Sequence, residues 1–151
     1  MLYRLYSPAD FERLYALEKV CFQPPLRFSR AYMRSLIDAA DSATWIAEDD
    51  GAMAGFAIVE WTRDAARTIA YIQTIEVDPA QRGCGVGTEL LRRMEQSARA
   101  AGSGSIWLHV DAENRPALGL YQSHGYLCEG EVQGYYGEGT VALRFRKSFP
   151  V

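Results

Sequence analysis

Residues Ile75 to Leu91 read IEVDPAQRGCGVGTELL. A β-branched run ends at Asp78-Pro79, and three glycines follow at alternate positions, Gly83, Gly85 and Gly87. Immediately beyond, Val86, Leu90, Leu91, Met94, Ala98 and Ala101 recur at three-to-four spacing, with Arg92, Arg93, Glu95 and Arg99 on the other side, which is the pattern of an amphipathic helix. A strand, a glycine turn and a helix in direct succession gather free backbone amides at the positive end of a helix dipole, a place suited to a pyrophosphate. The spacing fails the dinucleotide fingerprint G-x-G-x-x-G, because position 88 is Thr when counted from Gly83 and position 90 is Leu when counted from Gly85. A Gly-Lys-Ser/Thr ending is absent, so a Walker A loop is excluded as well. A flexible strand-to-helix connection with no ligand stays open on this stretch alone.

Working outward, Thr68–Val77 reads as a strand rich in β-branched and aromatic residues. Before it, Ala43–Glu48 and Ala52–Trp61 flank Asp49-Asp50-Gly51, a hairpin signal. Residues 1–6 alternate as a strand. Ser7-Pro8 reads as N-cap and first helical position of a helix carrying Phe11, Leu14, Leu17 and Cys21, and Ser29 caps a second helix to about Ala39. Downstream, Ser105–Val110 is a strand, Asn114–His124 a short helix stopped by Gly125, and Tyr126–Val132 and Val141–Lys147 the last two strands. The order β-α-α-β-β-β-α-β-α-β-β predicts an α/β fold with a mixed sheet and helices on both faces.

A length of 151 residues without repeats or a linker fits one domain, 1–151. A net charge of −3 supplies no electrostatic footprint for nucleic acid or anionic membrane. Cys21, Cys84 and Cys128 are odd in number and lack C-x-x-C spacing, so neither a disulfide framework nor a zinc site is indicated, and free thiols fit a reducing compartment. Charge and proline arrive early in MLYRLYSPADFE, leaving no room for an apolar signal region, and no 18-residue apolar run follows. The expectation is a cytoplasmic protein without a metal.

Arg82-Gly83-Cys84-Gly85-Val86-Gly87 resembles the R/Q-x-x-G-x-G/A signature of the GNAT N-acetyltransferases, preceded as in that family by a strand ending V-D-P. Leu108, Val110, Asn114, Ala117, Leu120, Tyr121, Gly125 and Tyr126 match the family's second pattern, L-x-V-x-x-x-N-x-x-A-x-x-L-Y-x-x-x-G-F/Y. The resemblance covers essentially the whole chain and is densest over 71–137. It implies a mostly antiparallel mixed sheet of about seven strands with about four helices, and acetyl-CoA as co-substrate. It further implies that amides from Gly83 through Cys84, Gly85, Val86 and Gly87 to Thr88 hold the diphosphate beside Arg82. Amides at Ile75, Glu76 and Val77 would bind the acetyl carbonyl and pantetheine.

The remaining site residues carry two readings each. Asn114 is a good N-cap and also fits a place beside the coenzyme. Tyr121 shares a helical face with Ala117 and Leu120, as a core residue would, and matches the family's phenol near the thioester sulfur, where a pKa near 10 keeps a proton ready for a departing thiolate. His109 alternates with Leu108 and Val110 on its strand; a lone strand histidine is usually structural. Within the N-terminal (Nα) and ribosomal-protein alanine acetyltransferase group some members carry L-H-V here with histidine as general base, together with a tyrosine matching Tyr71 acting through ordered water. Others carry glutamate, a pattern from which this chain departs. Cys84, by a helix N-terminus, raises an acyl-cysteine route, but it occupies a variable position of the motif.

For the acceptor, the resemblance points to the loop containing Phe22 and Pro24 and to Tyr135-Tyr136, where a tyrosine pair bonds the peptide backbone; the same pair can equally pack over the sheet edge. Glu18 reads as a solvated helix position, and His124, before Gly125, as a helix C-terminal residue with a structural role. An N-terminal α-amine, with a pKa of about 7.7–8.0, is an easier acceptor for a histidine base than a lysine near 10.4. The alternatives are a small-molecule amine (polyamine, amino acid or antibiotic) and a coenzyme A-binding regulatory module without turnover. Either a monomer or a homodimer is compatible.

Overall fold

The computed structural model describes residues 1–63 and 66–150. In chain order the described residues form β1 (Leu2–Leu5), α1 (Phe11–Cys21), α2 (Arg30–Asp38), β2 (Ser42–Asp49), β3 (Ala52–Arg63), β4 (Thr68–Val77), α3 (Val86–Ala100), β5 (Ser103–Asp111), α4 (Arg115–Ser123), β6 (Leu127–Gln133) and β7 (Val141–Ser148). The sequence of elements is the expected one. The first helix differs at its start: Pro8–Asp10 is a separate 3-10 turn, because Asp10 turns back to accept from the Ser7 amide at 2.8 Å and from Arg4 at 2.8 Å.

The strands make one seven-stranded sheet in the order β1-β2-β3-β4-β5-β7-β6. Every neighbouring pair is antiparallel except β4–β5, which is parallel. A parallel pair requires a crossover, and α3 supplies it. Leu90, Leu91, Met94 and Ala98 of α3 pack with Ala57, Val59, Ala70, Ile72, Ile106 and Leu108 on one face of the sheet. On the other face Phe11, Leu14 and Met33 of α1 and α2 cover Ile46, Phe56 and Ile58. No helix among the described residues is long and apolar enough to cross a membrane.

One irregularity in β4 positions everything that follows. Ile58 pairs with Thr74 and Val59 with Ile72, so Gln73 is an extra residue, a β-bulge. It reverses the alternation of side chains. Ala70 and Ile72 face α3 before the bulge; Ile75 and Val77 face it after the bulge, while Glu76 turns toward α1.

Candidate active site

Past the bulge, β4 and β5 part. Their parallel pairing runs from Thr68 opposite Ser103 to Ile72 opposite Leu108 and stops, whereas β4 stays paired with β3 as far as Val77. The gap opens into a cavity of about 610 Å³, walled by β4, the glycine turn, the start of α3 and the N-terminal end of α4. Val77 turns its carbonyl into this gap, where it accepts from Arg82 Nε at 3.3 Å.

Gly83 and Gly85 have φ of +79° and +84°, the left-handed region that glycine enters without penalty, and Gly85 is the N-cap of α3. The first hydrogen bond of α3 runs from Glu89 N–H to the Gly85 carbonyl, 3.1 Å. The amides of Val86, Gly87 and Thr88 precede it and therefore lack intrahelical acceptors. These three residues line the cavity with Gly83 and Gly85, but the exposed Cys84 side chain does not. The turn therefore presents backbone amides to the cavity and keeps the Cys84 thiol outside it.

A second space of about 70 Å³ continues from the first around Phe22, Ile75 and Asn114, and His109, Thr74, Tyr121 and Tyr136 lie on its walls. Tyr71 pairs in register with Trp107, so Tyr71 and His109, two residues beyond Trp107, project from the same face. They bond directly: Tyr71 Oη lies 2.6 Å from His109 Nδ1. Burial, then the neighbouring Tyr135 hydroxyl, raises the Tyr71 pKa far above that of an ordinary phenol, so tyrosine is the donor and Nδ1 the acceptor. This assigns the His109 ring proton to Nε2. Burial, and secondarily Arg144 on the adjacent strand, lowers the His109 pKa, so the imidazole is neutral at pH 7. Tyr135 stacks on His109 with ring centroids 4.3 Å apart, and Tyr136 meets Tyr135 edge-on at 4.9 Å.

The tyrosine pair thus packs over His109, and Tyr136 also walls the small space. The two expected acceptor walls meet: a Cβ on Gly137 would stand 3.1 Å from Pro25 Cγ. Phe22, Leu26 and Phe28 supply the side chains of the α1–α2 loop to the cavities. Pro24 does not, because it sits exposed in a turn.

Asn114 and Tyr121 each have a structural role and a place on a cavity wall. Asn114 Oδ1 caps α4, accepting from Ala117 N–H at 3.3 Å, and the residue walls both cavities. Tyr121 packs its ring against Tyr126 and Phe145, yet its hydroxyl has no hydrogen-bond partner among the described residues. Burial, then Tyr136, raises its pKa, so it holds its proton. His124 ends α4, its Nδ1 2.8 Å from the Leu120 carbonyl, as a structural residue should. The expectation for Glu18 fails: it is 1% exposed, not solvated. Its place three residues after Tyr15 and four after Leu14 puts it on the buried stripe of α1. Thr74 and Glu76 side chains also belong to this region, and only the bulge brings them there.

A parted parallel strand pair, a turn of free amides at a helix N-terminus and a phenol–imidazole pair beside it come together at one end of the sheet of this α/β protein. The family model described as "Acetyltransferase (GNAT) family" matches residues 11–126, and the chain belongs to that family. It is 39% identical over 109 residues to streptothricin acetyltransferase of Streptomyces lavendulae, covering 69% of this chain and 57% of that protein. It is 27% identical over 135 residues to a putative [ribosomal protein bS18]-alanine N-acetyltransferase of Bacillus subtilis, covering 89% of this chain and 86% of that protein. The chain spans little more than half the length of the first of these relatives, and smaller fractions of others. In fold it matches the crystal structure of Arabidopsis thaliana NAA60 in complex with acetyl-CoA, with a TM-score of 0.86, 23% identity and 97% of each chain covered.

Proposed function

We propose that this chain transfers the acetyl group of acetyl-CoA to a primary amine, and that the acceptor is the α-amine at the N-terminus of a peptide or protein. The observation that carries this reading is the 2.6 Å bond between Tyr71 and neutral His109 at the edge of the smaller cavity. The amides from Gly83 to Thr88, with Arg82 beside them, hold the carrier's diphosphate. Amides of the parted stretch Ile75–Val77 polarise the thioester carbonyl as its oxygen gains charge.

The acceptor arrives as an ammonium ion. One of its protons passes to the Tyr71 oxygen while the Tyr71 proton passes to His109 Nδ1, leaving a free amine and an imidazolium. The amine attacks the thioester carbon and the C–S bond breaks. Tyr121 gives its proton to the sulfur and recovers one from the new amide nitrogen. An α-amine with a pKa of about 7.7–8.0 loses its proton to this pair far more readily than a lysine side chain near 10.4.

A small-molecule amine is the second reading, favoured by the 39% identity to a streptothricin acetyltransferase. Thiol release from acetyl-CoA against short peptides with free N-termini, the same peptides N-blocked, and a set of small polyamines and amino acids tests both. Release only with free-terminus peptides supports the first reading, and release only with small amines replaces it by the second. Acetyl-CoA binding by calorimetry without release in any arm would leave a binding module instead.

The Tyr121→Phe variant is expected to slow transfer by about ten-fold or more, since the acid is lost while the ring's packing is kept. Its melting temperature and acetyl-CoA affinity should stay close to those of the parent. Undiminished turnover would confine Tyr121 to packing.

A further inference from the structure

Under the loop that runs from Phe22 to Phe28, two neighbouring carboxyl groups lie buried. Glu18, late in α1, is 1% exposed and Glu76, late in β4, is 2% exposed. Each places one oxygen in a hydrogen bond with the protein: Glu18 Oε2 accepts from Phe28 N–H at 3.0 Å, and Glu76 Oε2 accepts from Thr74 Oγ1 at 2.8 Å. The other two oxygens, Glu18 Oε1 and Glu76 Oε1, are buried and receive no donor from the described residues. Among the described residues no ion pair reaches either carboxyl.

The groups that face the pair are few. Cys21, one turn beyond Glu18, is uncharged: burial pushes its thiol up to about 11. Arg82 stands behind that thiol, its Nη2 4.0 Å from Cys21 Sγ. His109, as the neutral imidazole, and the Asp111 carboxylate side chain, both on β5, wall the same small cavity as Glu18 and Thr74. With no cation against them, two neighbouring carboxylates in a dry interior cannot both be ionised. A single proton, carried by Glu76 and accepted by Glu18, satisfies both orphaned oxygens.

We propose that Glu18 and Glu76 share one proton and act as a positioning pair, tying the acceptor wall through Phe28 to the strand that presents the acetyl group. The kinetic consequence rests on the acceptor reading above; the shared proton does not. The resulting chain runs from Phe28 N–H through Glu18 and Glu76 to Thr74. Burial and the adjoining Glu18 carboxyl hold the Glu76 pKa well above the ordinary glutamate value. The folded chain therefore keeps a proton that the unfolded chain releases above about pH 4.3, so the pair's contribution to stability declines as pH rises from there until the pair ionises. Ionisation sets two like charges in contact and drives the wall from the strand.

Infrared spectroscopy of the full chain at about pH 7 tests the proton: a protonated-carboxyl carbonyl band is expected in the parent and not in Glu76→Gln, and a parent without the band overturns the proposal. In thermal melts from about pH 5 to about pH 9, the melting temperature of Glu76→Gln should gain on the parent as pH rises; a difference independent of pH overturns it. In transfer assays Glu76→Leu should raise acceptor KM about ten-fold or more, with acetyl-CoA Kd little changed. Glu76→Gln, whose amide donates to Glu18 at every pH, should recover most of that loss and flatten the alkaline rise in KM. Equal penalties for Leu and Gln would overturn the positioning role. If no amine is acetylated at all, the acceptor reading fails while the infrared and melting outcomes still decide the pair.

Discussion

His109→Ala is expected to lower turnover by about 10²–10⁴-fold, the usual worth of a general base, with acetyl-CoA affinity nearly unchanged. The two effects separate because His109 walls only the smaller cavity, while the amide cradle belongs to the larger one. Tyr71 cannot replace it: burial keeps that phenol protonated, so without the imidazole its proton has no acceptor. The parent's rate should be flat at neutral pH and fall on the acid side, through a pKa below the usual 6.5, since burial and Arg144 both disfavour the imidazolium. Steady-state rates from about pH 5 to about pH 9, with calorimetry for acetyl-CoA, measure both. A variant that keeps parental turnover, or loses acetyl-CoA binding in proportion, removes His109 from the proton path.

The second large effect is on the framework. Gly55 of β3 lies opposite Val77, and a Cβ there would stand 2.6 Å from the Glu76 carbonyl oxygen and 3.2 Å from Leu90 Cδ1. The nearest atom is backbone, and it cannot swing away. Gly55→Ala must therefore push β4 from β3 or α3 from the sheet, an overpacking of about 2 kcal/mol. For a chain of this size that lowers Tm by about 4–8 °C. Acetyl-CoA affinity should weaken too, because the displaced Glu76–Val77 backbone is a wall of the larger cavity. Gly104→Ala is the control: nothing lies within 4 Å of a Cβ there, and its change should stay within about 0.5 kcal/mol. Equal Tm values for the two variants would show that the sheet yields freely at Gly55.

Much of this arrangement is legible in the sequence, for reasons that differ by residue. The glycine turn is, because alternating glycines directly before an amphipathic run permit the positive-φ backbone of a tight turn into a helix N-terminus. Tyr71 and His109 are legible as strand residues, but their 2.6 Å contact depends on the parallel register of β4 and β5, which no local pattern encodes. Glu18 is misread by its charge, although its spacing from Phe11, Leu14 and Cys21 places it on the apolar stripe of α1; spacing outweighs residue type there. Glu76 is hidden for another reason. The alternation of Thr68–Val77 reads equally well with or without an extra residue, and the choice is made by Ile58 and Val59 across the ladder. Gly55, an isolated glycine in a strand, carries the ordinary sign of close backbone approach.

The extra residue at Gln73 also sets which changes of chain length this protein can absorb. It works as a half-turn phase shift midway along a single strand: remove one residue there and the distal segment rotates, sending the Glu76 carboxyl in among Val86 and Leu90 and the greasy side chains of Ile75 and Val77 out toward α1. The length of β4 cannot change, and insertions or deletions that surface loops accept would here invert half a strand.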